Sequence, residues 1–225
     1  MFDNSKFNKM KPLISLFFFL TLFSVTVHAQ KESTPSSEST PNAYTYGEFK
    51  AGYGVTLFSS GLKERYEDGN FSTSGGGLFS IAAYRKFEKL NFLHLGLKFK
   101  GLGASPSRGD NGSEMFFNFW GTAFSTKYFP FSKPASQGVY LQADYNFTTQ
   151  FTQKYRNSGA LEYDHQFAIG NSFTLGLGYQ YPLKSRYALV ASVEYDWANR
   201  QGEVEGIGEK QFKNTNLAFQ IGLVF

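Results

Sequence analysis

The sequence predicts an all-β fold, an eight-stranded antiparallel up-and-down transmembrane β-barrel. Three observations point to it. From Tyr46 to Phe225, apolar and polar residues alternate with period two in successive stretches of strand length. The gaps between those stretches are alternately long and short. Aromatic residues reach 19% of the chain, with 26 Phe and 14 Tyr, yet the mean hydropathy is only −0.32. A barrel in lipid produces that combination, because only every second residue of a strand meets hydrocarbon.

Residues 1–29 read as a cleaved export signal. Lys6, Lys9 and Lys11 form a positive start, Leu13 to Val27 is apolar, and Val27-His28-Ala29 puts small residues where a signal peptidase reads. Cleavage is expected between Ala29 and Gln30. The apolar run is short of the roughly 20 residues a spanning helix needs. Residues 30–45 are dominated by Ser, Thr, Pro and Glu. Such a stretch cannot bury enough surface to offset the entropy of ordering it, so a flexible periplasmic tail is expected.

The barrel occupies residues 46–225. In the first strand, Phe49, Ala51, Tyr53, Val55 and Leu57 oppose Glu48, Lys50, Gly52, Gly54 and Thr56. The third sets Leu93, Leu95, Leu97 and Phe99 against His94, Gly96, Lys98 and Lys100. The fifth sets Val139, Leu141, Ala143, Tyr145 and Phe147 against Tyr140, Gln142, Asp144 and Asn146. In the sixth, Phe173, Leu175, Leu177 and Tyr179 share a face, and in the seventh Leu189, Ala191, Val193, Tyr195 and Trp197 oppose Val190, Ser192, Glu194 and Asp196. The last strand places Leu217, Phe219, Ile221, Leu223 and Phe225 on one side. The second, Leu78 to Phe87, and the fourth, Met115 to Phe129, carry bulky residues on both faces, and alternation leaves their register open.

Long polar gaps are expected near Ser59–Ser74, Ala104–Ser113, Thr148–Gln166 and Ala198–Gln211, and short turns near Glu88–Leu90, Phe131–Gln137 and Pro182–Arg186. Long loops on one rim and short turns on the other is the outer-membrane pattern, with the long loops extracellular and both termini periplasmic. A lipocalin-like soluble barrel would invert the apolar face. Tyr44, Tyr46, Tyr128, Phe129, Tyr179, Tyr181, Tyr187, Tyr195 and Trp197 gather near strand ends, as interfacial girdles do.

With this alternation, an export signal and a final strand ending in Phe, the chain resembles the small outer-membrane β-barrel proteins, the OmpA-like and OmpX-like barrels of Gram-negative bacteria. The resemblance implies that Phe219, Ile221, Leu223 and Phe225 form an assembly signal read by the barrel-assembly machinery. It also implies outer-membrane lipid as surroundings and an extracellular ligand, if any, taken by the long loops. The roles it offers are structural or surface-interacting, a narrow channel for small solutes, or a lipid-modifying enzyme.

The residues favour a non-enzymatic reading with no cofactor and no metal. There is no cysteine, hence no disulfide and no lipid-anchor site. After the signal only His94 and His165 remain, without metal-ligand spacing. His165, beside Asp164 and Glu162 with Ser172 downstream, reads as a solvated loop rather than a catalytic group. Arg108-Gly109-Asp110 reads as turn chemistry. The pI near 9.0 owes part of its value to the signal's lysines and does not indicate nucleic acid. The candidate site is the lumen. Lys98 and Lys100 face Glu194 and Asp196 across it, and Glu48 and Lys50 face Asp144, because strands four apart oppose each other in an interior just wide enough for side chains. These pairs are expected to close the barrel. Intact-mass analysis of the exported protein should give a chain beginning at Gln30; a mass retaining residues 1–29 would remove the export reading.

Overall fold

The computed structural model describes residues 44–58, 75–87, 90–104, 107–108, 114–131, 137–156, 166–183, 187–204 and 208–225. The signal, the Ala29–Gln30 junction and all of the tail but Tyr44 and Thr45 lie outside them. The strands are β1 (Tyr44–Phe58), β2 (Gly76–Phe87), β3 (Leu90–Ala104), β4 (Ser107–Arg108), β5 (Glu114–Tyr128), β6 (Gly138–Arg156), β7 (Gln166–Pro182), β8 (Ala188–Val204) and β9 (Gly208–Val224). They form one antiparallel sheet in which β4 is a two-residue strand against the start of β5, and β3 pairs directly with β5. The other eight strands are the staves of a closed barrel.

Closure runs between β1 and β9, from Glu48↔Val224 to Phe58↔Asn214. The final residue extends it. Gly47 N–H donates to the Phe225 carbonyl at 2.8 Å, and Phe225 N–H returns to the Gly47 carbonyl at 3.0 Å. In hydrocarbon an open sheet edge would leave a row of unpaired amides, each costing several kcal/mol by order of magnitude, so the ring must shut.

Alternation sorts the side chains as its period requires. Leu97, Leu177, Phe219, Leu223 and Ile221, the last 73% exposed, face outward. Glu48, Lys50, Lys98, Asp144 and Glu194 are buried inside. This is the inverse of a soluble barrel and leaves an apolar belt that only lipid covers.

The structure resolves the two open registers. β2 turns Leu78, Ser80, Ala82 and Tyr84 inward. β5 turns Phe119, Ala123, Ser125 and Lys127 inward, with Phe129 following, and Trp120, Phe124 and Tyr128 outward. Lys127 is the one charged residue between Met115 and Phe129, and a lysine in a spanning strand is costly on the lipid side.

Three expectations are corrected. The connections expected at Thr148–Gln166 and Ala198–Gln211 are largely strand: β6 is 19 residues long and β7, β8 and β9 are 17 each, against about 9–11 needed to cross a membrane. Their outer ends leave hydrocarbon, so both faces tolerate polar residues and the period vanishes while the ladder continues. Tyr46 and Phe129 are not girdle residues but fully inside, 5% and 1% exposed, on the inward parity of their strands. Tyr44, Tyr128, Tyr179, Tyr181, Tyr187 and Trp197 are outward and exposed. Finally, β6 is irregular: Ala123 pairs with Asn146 but Thr122 with Thr148, leaving Phe147 as an extra residue. This bulge reverses parity, so Thr149 is buried inside at 1% exposure.

Arginine at the outward position Leu177 should lower unfolding free energy by about 2–4 kcal/mol, the cost of a cation near mid-bilayer. Urea titration of the barrel refolded in lipid vesicles measures it; an unchanged midpoint would mean that this face does not contact lipid.

Candidate functional site

The lumen is packed in levels. For orientation, the rim that carries Tyr44 and Phe225 is the terminal rim. Its floor is aromatic and apolar: Tyr46, Ala82, Tyr84, Phe129, Tyr140, Ala188, Val190 and Val224 form one buried cluster. Tyr46 and Tyr84 stack with ring centroids 5.4 Å apart, and Phe129 and Tyr140 lie at the same separation. Tyr140 fits only because position 178 is glycine; a Cβ there would fall 2.2 Å from the Tyr140 Cζ. The Tyr46 hydroxyl and the His94 Nδ1 are hydrogen-bonded at 2.7 Å, so His94 is held as a lumen side chain.

Above the floor stands a charge network. Glu194 accepts from both Lys50 and Lys98 at 2.7 Å. Lys98 also reaches Asp144 at 2.9 Å, and all three side chains are at most 4% exposed. Asp144 accepts from the Ser125 hydroxyl at 2.5 Å and from the Gln142 amide at 2.8 Å. Glu48 pairs with Lys127 and lies 3.5 Å from Lys50. The Lys127 ammonium is flanked by the rings of Tyr84 and Tyr140, 4.5 and 4.6 Å from their centroids. One level higher, Asp196 accepts from Lys100 at 2.8 Å, from Thr174 at 2.7 Å and from the Asn216 amide at 3.1 Å. Each charge is therefore matched, and all but the partly exposed Lys100 are desolvated, the condition under which buried ions are tolerated.

All seven expected lumen residues, Glu48, Lys50, Lys98, Lys100, Asp144, Glu194 and Asp196, meet inside the barrel. The partners of two differ from expectation. Asp144 is taken by Lys98, and Lys50 turns to Glu194 and Glu48. Strand tilt and stagger shift heights, so diametric strands do not present residues of equal sequence depth at one level. Phe219, Ile221, Leu223 and Phe225 form an outward lipid-facing row.

Sequence reasoning missed Lys127 and Arg200. Lys127 had a usable signal, its isolation as a charge within a spanning stretch. Arg200 lay in a segment read as loop, yet it is buried at 2% exposure, with Nε donating to the Thr149 hydroxyl at 3.1 Å and a second nitrogen to the same atom at 2.6 Å. A further guanidinium nitrogen donates to the Asn214 side chain. Ser172 is buried in β7 on the outer half of the barrel, whereas His94 is at the floor; His165, Asp164 and Glu162 lie outside the described residues, as do Gly109 and Asp110. Arg108 pairs with Glu114 in the β4–β5 ladder. Among the described residues no group of His, Asp and Glu could hold a metal ion.

No protein-family model matches the sequence, and no curated protein matches it. Solved structures do. Ail, the attachment invasion locus protein of Yersinia pestis crystallised with the heparin analogue sucrose octasulfate, is 12% identical and superposes with a TM-score of 0.52 over 80% of this chain and 99% of its own. The chain has the fold of the small outer-membrane β-barrels. Neisserial surface protein A is likewise 12% identical, with a TM-score of 0.49 over 81% of this chain and 97% of its own. For this outer-membrane barrel the likeness extends to the fold, whereas the ion network is argued from its own side chains.

Replacing Lys98 by Met should destabilise the barrel by about 3–5 kcal/mol, since it takes the paired lysine from buried Asp144 and leaves Glu194 with Lys50 alone. Replacing the partly exposed Lys100 should cost less, because water can reach Asp196. Equilibrium unfolding in micelles followed by tryptophan fluorescence ranks the two; equal small losses would mean that the network is hydrated rather than dry.

Proposed function

We propose that this outer-membrane barrel is a closed scaffold that presents its loop rim to the outside of a Gram-negative cell. Its role is structural or surface-interacting rather than that of a pore or an enzyme. The observation that supports this most strongly is the Lys98 ammonium bridging Asp144 and Glu194, with both Glu194 oxygens at 2.7 Å of it. These residues come from β3, β6 and β8, so the bridge spans the lumen, and the aromatic cluster underlies it. An eight-stranded barrel has an interior only wide enough for its own side chains. A solute would have to break several buried ion pairs to pass.

On this reading the terminal rim, with its short connections, faces the periplasm. The longer β6–β7 and β8–β9 hairpin ends stand outside, where a ligand would be met. Ail, of the same fold, forms a complex with a heparin analogue. That precedent makes an extracellular ligand for the loop rim worth seeking here. The outward row ending at Phe225 serves, on the same reading, as the strand handed to the assembly machinery.

Planar-bilayer recording separates the scaffold from a channel. Purified wild-type barrel should show no steady conductance. Glu194→Ala with Asp196→Ala should both lower stability and open measurable current. Steady wild-type conductance, with the double variant as stable as wild type, would put a narrow solute channel in place of the closed scaffold.

A further inference from the structure

On the lipid side of the wall, where β7, β8 and β9 run towards the loop rim, lies an open groove of about 420 Å³. Two outward rows meet in it. The lower row is Tyr145, Phe173, Trp197, Thr215 and Leu57, each paired with the next around the sheet. Its rings are exposed, and those of Phe173 and Trp197 stack with centroids 6.3 Å apart. The upper row is Asn171, Asn199 and Lys213, again direct neighbours across three strands and all exposed. Ser172, Ala198 and Asn214, which stand between the rows, are buried on the lumen parity. The change from apolar to polar falls at one level. A tilted spanning strand needs about 9–11 residues. Counted from Phe225 along β9 that length ends at Thr215, and Lys213 is the next outward residue. On β8 the run from Leu189 to Trp197 gives way to Asn199, and on β7 the run from Tyr181 to Phe173 gives way to Asn171. The upper row therefore stands at headgroup depth, and the lower row at the top of the acyl chains, where Tyr and Trp anchor.

Charge narrows the occupant. No Asp or Glu lines the groove, and Lys213 makes no ion pair among the described residues. The next acidic residues along β8 and β9, Glu203 and Glu209, are paired with each other beyond Gln201 and Gln211. That is roughly 13 Å farther up the strand at about 3.3 Å per residue. Neighbouring strands lie about 4.7–4.9 Å apart, so an ammonium and two carboxamide NH2 groups on three successive strands can converge on one head. We infer that this groove binds an anionic phosphomonoester lipid of the surrounding leaflet. Lys213, Asn171 and Asn199 hold the phosphate, and an acyl chain lies along the rings of Trp197, Phe173 and Tyr145. A phosphomonoester offers three acceptor oxygens, one for each donor group, whereas a carboxylate has two. A choline headgroup covers its phosphate with its own cation and gains less from Lys213. The site lies outside the wall, so it holds whether the lumen is closed or open.

The chain has two tryptophans, Trp120 and Trp197, and Trp197 reports on the groove directly. The full mature barrel carrying Trp120→Phe is refolded in phosphatidylcholine vesicles. Tail-brominated phosphatidate then replaces host lipid, with tail-brominated phosphatidylcholine and a brominated diacylglycerol hemisuccinate, an anionic carboxylate lipid, as comparisons. Phosphatidate should half-quench Trp197 at a membrane fraction at least fivefold lower than either. Lys213→Gln combined with Asn199→Ala should bring the three lipids together, and Trp120, read in Trp197→Phe, should not distinguish them. Equal quenching by phosphatidate and phosphatidylcholine overturns the site, as does a preference that survives the double substitution or appears equally at Trp120. Hemisuccinate matching phosphatidate overturns the phosphate assignment. A second measurement needs only the wild-type fold. In maltoside micelles the Trp197 indole N–H resonance, assigned by its loss in Trp197→Phe or its retention in Trp120→Phe, should move saturably with dihexanoyl phosphatidate and not with dihexanoyl phosphatidylcholine. A resonance that phosphatidate leaves unmoved overturns the inference.

Discussion

A β-strand in hydrocarbon must give every backbone amide a partner, and nearly everything else in this molecule follows from that demand. The sheet closes on itself through β1 and β9, down to the reciprocal bonds between Gly47 and Phe225. Closure with eight staves creates an interior of fixed, narrow bore. Closure also assigns alternate residues to lipid and lumen on either side of the β6 bulge, because a residue shifted by one would present a lysine to hydrocarbon. The apolar belt and the charged interior are thus two consequences of one backbone requirement.

The interior then has to solve a problem of its own. Polar residues excluded from the lipid face are driven into a space too small to hydrate them freely, where an unmatched charge is expensive. Pairing is the remedy. Lys98 and Lys50 share Glu194, Asp144 is supported by Ser125 and Gln142, and Lys127 adds two aromatic faces to its carboxylate. Near the terminal rim the solution changes character, from ions to interlocking rings. Near the loop rim it changes again, to Arg200 hydrogen-bonded to Thr149 and Asn214 beside a small cavity that Lys100 and Asp196 also line. The three levels differ in character: the floor is packed rings, the network is paired ions, and the upper level leaves a small cavity.

Alternation and stiffness also explain where local order departs from a uniform barrel. The Phe147 bulge in β6 costs one ladder register but redirects Thr149 to Arg200. Beyond the hydrocarbon the strands keep pairing as far as Arg156, Val204 and Gly208, although no lipid face remains to pattern them. Backbone ladder pairing continues through those ends.

Much of the architecture was legible in the residues alone, because period two, a lipid-facing apolar row and alternating connections are local properties that hold for each strand separately. The inward set Glu48, Lys50, Lys98, Asp144 and Glu194 could be listed from parity without any coordinates. Partner choice could not. Which lysine meets which carboxylate depends on strand tilt and stagger around the ring, a property of all eight staves at once, and so Asp144 met Lys98 and not the strand-one lysine. The inward placement of Tyr46 and Phe129 was within reach of parity, but their aromatic character suggested an interface instead. Arg200 and Thr149 were beyond reach: one sat where polarity imitated a loop, the other past a bulge that inverts the count. Sequence determined which side of the wall a strand residue occupies, since a pleat decides that locally. Tertiary structure decided at what height it stands and whom it faces, since only the closed ring brings distant strands to a common level.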